Sequence, residues 1–193
     1  MSKTVQEQAQ TIARLEEKLE RLHNSPFIWK ISNFASVMKA AETKQRLVII
    51  SDPFYSNHDG YKFEAELYPN GYHIDDDPGS KGKFMSIYLR ILVGEYDGLS
   101  IWPFYDSVVF TLLDQNASVE KRRHLRQEVQ QTPNGLARPT EASEDACGSW
   151  EFVYHNDLYK RSYIKDDTIF IKVAFVEHKD RKFSRIFHGD YDL

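Results

Sequence analysis

The chain has 193 residues, of which 41% are hydrophobic and 28% are charged, a balance typical of a folded globular protein rather than a disordered one. Its net charge of −4 excludes a strong overall attraction to nucleic acid, so no nucleic-acid partner is expected. The single cysteine, Cys147, excludes an internal disulfide. Together with the lack of a signal peptide or of an apolar run of bilayer length, it favours a cytoplasmic protein.

The first 25 residues follow a seven-residue repeat in which apolar side chains return at the first and fourth positions. With Gln8 as a polar exception, these positions are occupied by Val5, Ile12, Leu15, Leu19 and Leu22. Such a repeat is typical of a coiled coil. Pro26 ends the helix because its ring cannot donate a backbone hydrogen bond. The sequence therefore predicts an α-helical coiled-coil stalk over residues 1–25 that oligomerises the chain.

From residue 27 onward the hydrophobic period changes to two, which is typical of β-strands. In the first half of this region, strands are predicted over 27–31, 46–50, 61–68 and 84–93. A helix over 32–43, capped by Ser32, is predicted after the first strand. The alternation predicts core positions at Phe63, Ala65, Leu67, Met85, Ile87, Leu89 and Ile91. It predicts outer-face positions at Glu66, Tyr68, Ser86, Tyr88 and Arg90.

In the second half, further strands are predicted over 108–113, 150–154 and 168–176. The first of these is apolar on both faces, as a central strand would be. Residues 118–146 lack a strand period and predict a short helix followed by a long exposed connection. A polar tail is expected over 178–193. Short strands in this number predict an all-β fold, an antiparallel sandwich over residues 26–177.

Several short strings occur in a characteristic order behind the predicted stalk. They are Phe27-Ile28-Trp29-Lys30-Ile31, Phe54-Tyr55, Gly60-Tyr61-Lys62, Trp102-Pro103-Phe104, Leu113-Asp114-Gln115 and Tyr163-Ile164-Lys165-Asp166-Asp167-Thr168-Ile169-Phe170-Ile171. In this order and spacing the chain resembles the C-terminal TRAF (MATH) domain of the TNF receptor-associated factors, with part of their coiled coil. The resemblance implies an eight-stranded sandwich. It also implies a homotrimeric cytoplasmic adaptor, not an enzyme, that binds short peptides from receptor tails or signalling proteins along a sheet edge.

The residues of the stalk leave its oligomeric state open. Its β-branched residues at the first position and leucines at the fourth would by themselves favour two strands. Fewer than four heptads are also marginal as an independent helix assembly. The resemblance favours three strands, and a homotrimer is the prediction.

Peptide-binding positions can be carried over from the family one by one. The groove tyrosine matches Tyr68 and the groove aromatic of the following strand matches Tyr88, and the alternation independently predicts both on the outer face. The basic residue that reads an acidic peptide side chain falls at Glu66, which reverses the charge. The remaining positions of the family's groove correspond to Leu125, Pro133, Asn134, Gly135, Leu136, Cys147 and Gly148. The resemblance implies that the fold carries over. The specificity for acidic peptides is not expected to carry over, because these positions lack the family's serines.

Two further features have competing interpretations. Asp75, Asp76 and Asp77 are interpreted as a solvated loop, since the ligand spacing of a calcium loop is missing, and no metal site or cofactor is predicted. The basic segment around residues 121–126 is more simply interpreted as a solvated surface. The alternative interpretation is a binding site for phosphopeptides or anionic lipid headgroups. The residues of that possible anion site are Lys121, Arg122, Arg123 and Arg126.

A second function class also fits the resemblance. The chain could be the substrate-recognition part of a ubiquitin ligase whose catalytic RING lies outside it, as in family members where a RING and zinc fingers precede the stalk. A third class, an extracellular homologue attached to secreted proteases, is disfavoured by the lone cysteine and the missing signal peptide.

Overall fold

The computed structural model describes residues 26–72, 82–132, 134–143 and 145–177, together with Gln8, Thr11, Ile12 and Arg14 near the N-terminus. The strands are β1 (Phe27–Ser32), β2 (Ile49–Ile50), β3 (Phe54–Tyr55), β4 (Lys62–Tyr68), β5 (Phe84–Leu92), β6 (Ser107–Leu112), β7 (Leu125–Val129), β8 (Ala146–Tyr154) and β9 (Thr168–Val176). The helices are α1 (Phe34–Glu42), a 3-10 turn (Val119–Lys121) and α2 (His155–Leu158).

The strands form two antiparallel sheets. One has four strands in the order β1-β9-β6-β7, and the other has β2-β4-β5-β8 with β3 also paired to β4. This confirms the predicted all-β class with two antiparallel sheets. The described residues contain nine strands rather than eight, because the two-residue strands β2 and β3 both pair with β4 as separate segments.

The core lies between the inner faces of the two sheets. Phe63 and Leu67 on β4, Ile87 on β5 and Ile171 on β9 are all 0% exposed, as their alternation predicts. Every residue of β6 is buried, since this strand is flanked by β7 and β9 and covered on both faces. The alternation over β4, β5 and β9 sets which side chains face outward. Ser86 on the outer face of β5 is nevertheless 0% exposed, because its hydroxyl is hydrogen-bonded to the backbone of Tyr72 and Trp150.

The N-terminus of α1 differs from the prediction, and the assignment of Ser32 as the cap is wrong. The helix begins after Asn33, which adopts a left-handed conformation with φ 55° and makes no capping hydrogen bond through its side chain. The backbone N–H of Ala35 instead donates to Asp167 Oδ1 at 2.8 Å. A carboxylate remote in sequence thus satisfies an open N–H group of the helix.

The prediction that residues 118–146 contain no strand is wrong at residues 125–129. A single 3-10 turn is followed by the edge strand β7, which pairs with β6. Within β7, Leu125, Gln127 and Val129 are half-buried, whereas Arg126 and Glu128 are exposed. Two charges and a glutamine in five residues lower the β-propensity and conceal the alternation. Strand β2 is likewise shorter than predicted, since it starts at Ile49 rather than at residue 46.

Parts of the predicted organisation lie outside the described residues. Of the stalk over 1–25, the structure describes four residues, all helical, and Ile12 among them is 55% exposed. The Asp75–Asp77 segment and the tail over 178–193 are not described. In the part of the chain that is described, no helix is both long and apolar enough to cross a bilayer.

Candidate functional site

Three tyrosines cluster on the outer face of the five-stranded sheet. Tyr68 lies on β4, Tyr88 on β5, and Tyr72 follows the turn after β4. Their ring centroids are 4.8 Å (Tyr68–Tyr72), 4.9 Å (Tyr72–Tyr88) and 6.0 Å (Tyr68–Tyr88) apart. Ser86 holds Tyr72 in place, because its hydroxyl accepts the Tyr72 N–H at 2.8 Å and donates to the Trp150 carbonyl. We call this half-buried cluster the tyrosine face.

A charged network adjoins the tyrosine face. Antiparallel pairing of β4 and β5 sets Glu66 opposite Tyr88 and Glu64 opposite Arg90. Arg90 Nη2 lies 2.6 Å from Glu66 Oε1 and 2.8 Å from Glu64 Oε1, and Tyr68 Oη donates to Glu66 Oε2 at 3.1 Å. Two carboxylates share one guanidinium, so one negative charge is left in excess. Among the described residues, the buried Arg90 Nε has no hydrogen-bond partner.

The hydroxyls of Tyr68 and Tyr88 keep their protons at neutral pH, because the pKa of each is raised. Burial raises the pKa of Tyr68, and the negative charge and hydrogen bond of Glu66 raise it further. Burial is also the main reason why the pKa of Tyr88 is raised, with a smaller contribution from Tyr72. Protonated phenols combine an apolar ring with a hydrogen-bonding tip, which suits them to contact a peptide backbone.

Gly148 brings the edge strand β8 close against this surface. It pairs with Tyr88, and a Cβ added at Gly148 would lie 2.2 Å from the Ile87 carbonyl oxygen and 2.6 Å from Tyr88 Cα. Because real Cβ atoms do not approach so closely, only glycine fits here without a shift of the backbone. The only strand that β8 pairs with in the described sheets is β5. Residues Val48, Ile50 and Ala146 complete a shallow depression around the tyrosines.

Cys147 and Leu125 turn towards the interior instead. Cys147 pairs with the buried Leu89 on β5, and Leu125 pairs with the buried Leu112 on β6. Both pack against the core from half-buried positions. Burial raises the pKa of the Cys147 thiol to about 11, an effect that a hydrogen bond with Gln131 reduces. The thiol is therefore un-ionised at neutral pH and a poor nucleophile.

The segment before β8 does not join the tyrosine face either. Leu136 is 8% exposed and forms an isolated antiparallel bridge with Phe104. Gly135 adopts a φ of 61°, and a Cβ there would lie 2.7 Å from the Phe104 carbonyl oxygen. Asn134 is exposed in the adjoining turn, and Pro133 lies outside the described residues. Of the ten positions carried over from the family, the structure brings together Glu66, Tyr68, Tyr88 and Gly148.

Sequence reasoning did not assign two residues of this site. Arg90 was expected on the outer face, but its pairing with Glu66 depends on the register between β4 and β5. Tyr72 lies beyond the strand alternation, after the turn at residues 69–71. A signal for Arg90 exists in the sequence, since opposite charges on the outer positions of two adjacent strands predict a cross-strand ion pair.

The predicted basic segment is not a single patch. Lys121 is exposed on the 3-10 turn. Arg123 folds back so that its Nη1 donates to the carbonyls of Glu120 and Arg122 at 3.0 and 2.9 Å. Arg126 forms an ion pair with Glu128 at 3.0 Å. Within the described ranges, no group of three or more His, Cys, Asp or Glu side chains could hold a metal ion.

Comparisons with known proteins agree on one family. The family model of the TRAF/meprin, MATH domain matches residues 46–172. TNF receptor-associated factor 5 of Mus musculus is 34% identical over 167 residues, which are 82% of this chain and 28% of the relative. TNF receptor-associated factor 6-B of Xenopus laevis is 32% identical over 185 residues, 91% of this chain and 32% of the relative.

A solved structure shows the same similarity. The TRAF5 structure from Notothenia coriiceps matches with a TM-score of 0.70 at 25% identity and covers 98% of this chain and 88% of that chain. The curated relatives are much longer, and this chain spans about a third of their length.

Proposed function

This chain belongs to the TNF receptor-associated factor family, and we propose that it is a non-enzymatic cytoplasmic adaptor that binds short peptides of receptor tails or signalling proteins. The observation that carries the proposal is the tyrosine face beside the edge strand β8. An extended peptide added to β8 would satisfy open backbone groups of the strand. Its side chains would then reach Tyr68 and Tyr88.

The proposal includes an oligomeric state. The stalk over 1–25 joins three domains into a homotrimer, so that three sites face three clustered tails. A shallow contact of this kind buries little area, and we expect micromolar or weaker affinity for a single peptide. Three linked sites raise the avidity by ~10² or more without any new contact.

The charged network suggests which peptides the site takes. In the family, a basic residue occupies the position of Glu66 and reads an acidic peptide side chain. Here the nearest cation, Arg90, is already shared between Glu66 and Glu64. An incoming carboxylate would compete with two resident carboxylates for one guanidinium. The site therefore favours a neutral or basic peptide residue at this point.

A peptide screen tests the proposal. A library of receptor-tail peptides, displayed at high density, is probed with the full chain and with its Tyr68→Ala/Tyr88→Ala double variant. We expect retained peptides to lose binding to the double variant by about tenfold or more, because aromatic anchors carry much of the energy of such contacts. Tyr159→Ala is the matched control, since Tyr159 is 72% exposed and lies after α2. Equal loss in the control, or unchanged binding by the double variant, would contradict the proposed site.

A further inference from the structure

Four basic side chains from three chain segments line one depression at the end of the four-stranded sheet. Arg122 and His124 precede β7, Lys165 lies in the turn before β9, and Lys172 is half-buried on the outer face of β9. Only the first two come from the basic segment of the sequence. We call this site the basic depression. It is formed by the sheet opposite the one that carries the tyrosine face.

One carboxylate, that of Asp114, also lines the basic depression, but it is buried and already accepts hydrogen bonds from the backbone. Asp114 is 2% exposed and accepts the backbone N–H groups of Asn116 and Arg123, each at 3.0 Å. Burial alone would raise the pKa of Asp114, but these N–H donors and the positive charge of Arg161 hold it below its usual value. In the part of the chain that is described, Lys165 and Lys172 have no carboxylate within ion-pair distance.

Two of the four basic side chains, His124 and Arg122, are held in place by hydrogen bonds with the backbone. His124 Nδ1 accepts the Asp114 N–H at 2.9 Å, so the neutral ring carries its proton on Nε2, which remains a donor. Such fixed donors reduce the entropy that a ligand must lose on binding.

We propose that the basic depression binds the phosphate group of a phosphorylated peptide. A phosphate monoester carries a charge near −2 and three acceptor oxygens, which match cationic N–H donors that converge from several sides. Leu113 and Phe170 also line the depression and offer an apolar contact to the peptide residue that bears the phosphate.

The surroundings favour a peptide over a membrane as the source of the phosphate. A lipid surface is bound by a broad basic area. Here the neighbouring Arg126 is already paired with Glu128, and the chain as a whole carries a net charge of −4. The pairing of Arg126 and the net negative charge therefore favour a single phosphate group over a broad anionic surface.

Binding to coated surfaces tests this inference. Surface plasmon resonance is recorded for the full chain on a glycine-rich peptide that bears one phosphotyrosine, on its phosphoserine analogue and on the unphosphorylated peptide. We expect both phosphorylated peptides to bind more tightly. The Lys165→Gln/Lys172→Gln variant should lose about tenfold or more, the effect of removing one or two charge-assisted hydrogen bonds. Lys39→Gln/Lys160→Gln removes the same charge elsewhere and should bind like the parent chain.

Two outcomes would overturn the inference. One is equal binding by the two double variants, with both shown to be folded by circular dichroism. The other is binding to phosphatidylcholine–phosphatidylserine vesicles that depends on Lys165 and Lys172, without preference for the phosphorylated peptides. The second outcome would assign the basic depression to a membrane. Competition by inorganic phosphate, expected for the proposed site, provides an independent readout.

Discussion

At the residue scale, the ion pairs of Arg90 change how Glu66 acts. Glu66 is not an isolated exposed carboxylate: its side chain is 14% exposed, and it lies between Arg90 and the Tyr68 hydroxyl. Part of its charge is therefore compensated, and the repulsion of an acidic peptide is weaker than a free glutamate would cause. The excess negative charge of the network nevertheless remains, because Glu64 shares the same guanidinium.

Replacing Glu66 with arginine should improve the binding of acidic peptides. Glu66→Arg removes one carboxylate, releases Arg90 from it and adds a second cation beside Tyr68. We expect a gain of about tenfold, roughly 1.4 kcal/mol, for one acidic receptor peptide measured by isothermal titration calorimetry. Full binding at the level of the relatives is not expected, since the 133–135 segment supplies no hydroxyl groups.

The control for this change is Glu128→Arg. It makes the same charge change at an exposed position on β7, in the other sheet, and should leave the affinity unchanged. Tight binding of the acidic peptide by the parent chain would contradict the expected specificity.

At the scale of elements, the register of β4 against β5 positions both the core and the tyrosine face. Ile87 pairs with Leu67, and both are fully buried, while the neighbouring pair of Glu66 and Tyr88 faces outward. A slip by one residue would exchange the two faces, so that tyrosines would enter the core and apolar side chains would face solvent. The buried residues of β5 therefore also maintain the site.

Truncation of Ile87 tests this register. Ile87→Ala should lower the free energy of unfolding by about 2–5 kcal/mol, because it removes buried methyl groups and leaves a cavity. Urea unfolding of the full chain gives the value. Ile50→Ala is the matched control at a 44% exposed position and should lose less than about 0.5 kcal/mol. Similar losses in the two variants would show that Ile87 does not support the core.

At the scale of the whole molecule, the sandwich has its own core and the stalk has its own repeat. The core residues come from α1, α2, the loops and the strands within residues 31–173. The apolar stripe of the stalk, by contrast, requires partner helices to be covered. We therefore expect oligomerisation and folding of the sandwich to be separable.

Removal of residues 1–24 should leave a folded monomer. Sedimentation velocity compares this shortened chain with the full chain, which should sediment as a trimer, and circular dichroism checks that the strands are retained. Leu15→Asp/Leu19→Asp in the full chain is a second way to break the apolar stripe and should also give monomers. A folded trimer of the shortened chain would refute this division, and a dimeric full chain would refute the trimer.

The sequence by itself determined which face of the sheet each side chain of β4, β5 and β9 takes. The alternation on β4, β5 and β9 is local, because successive side chains of a strand point to opposite faces whatever the strand pairs with. It therefore predicted the fold class, the buried Phe63 and Ile87, and the outer positions of Tyr68 and Tyr88. It failed on β7, where charged residues weaken the pattern.

Only the tertiary structure decided which distant residues meet. Arg90 and Tyr68 both contact Glu66, and Asp167 accepts a hydrogen bond from the first turn of α1. Arg122 and Lys172 line the same depression. Each of these contacts depends on strand register and on how turns return the chain, and neither follows from a local period. The same holds for Leu136, which a position-by-position comparison assigns to the groove and which the structure buries against Phe104. Which face a side chain takes is a local property, whereas its neighbours on that face are set by pairing between strands far apart in sequence.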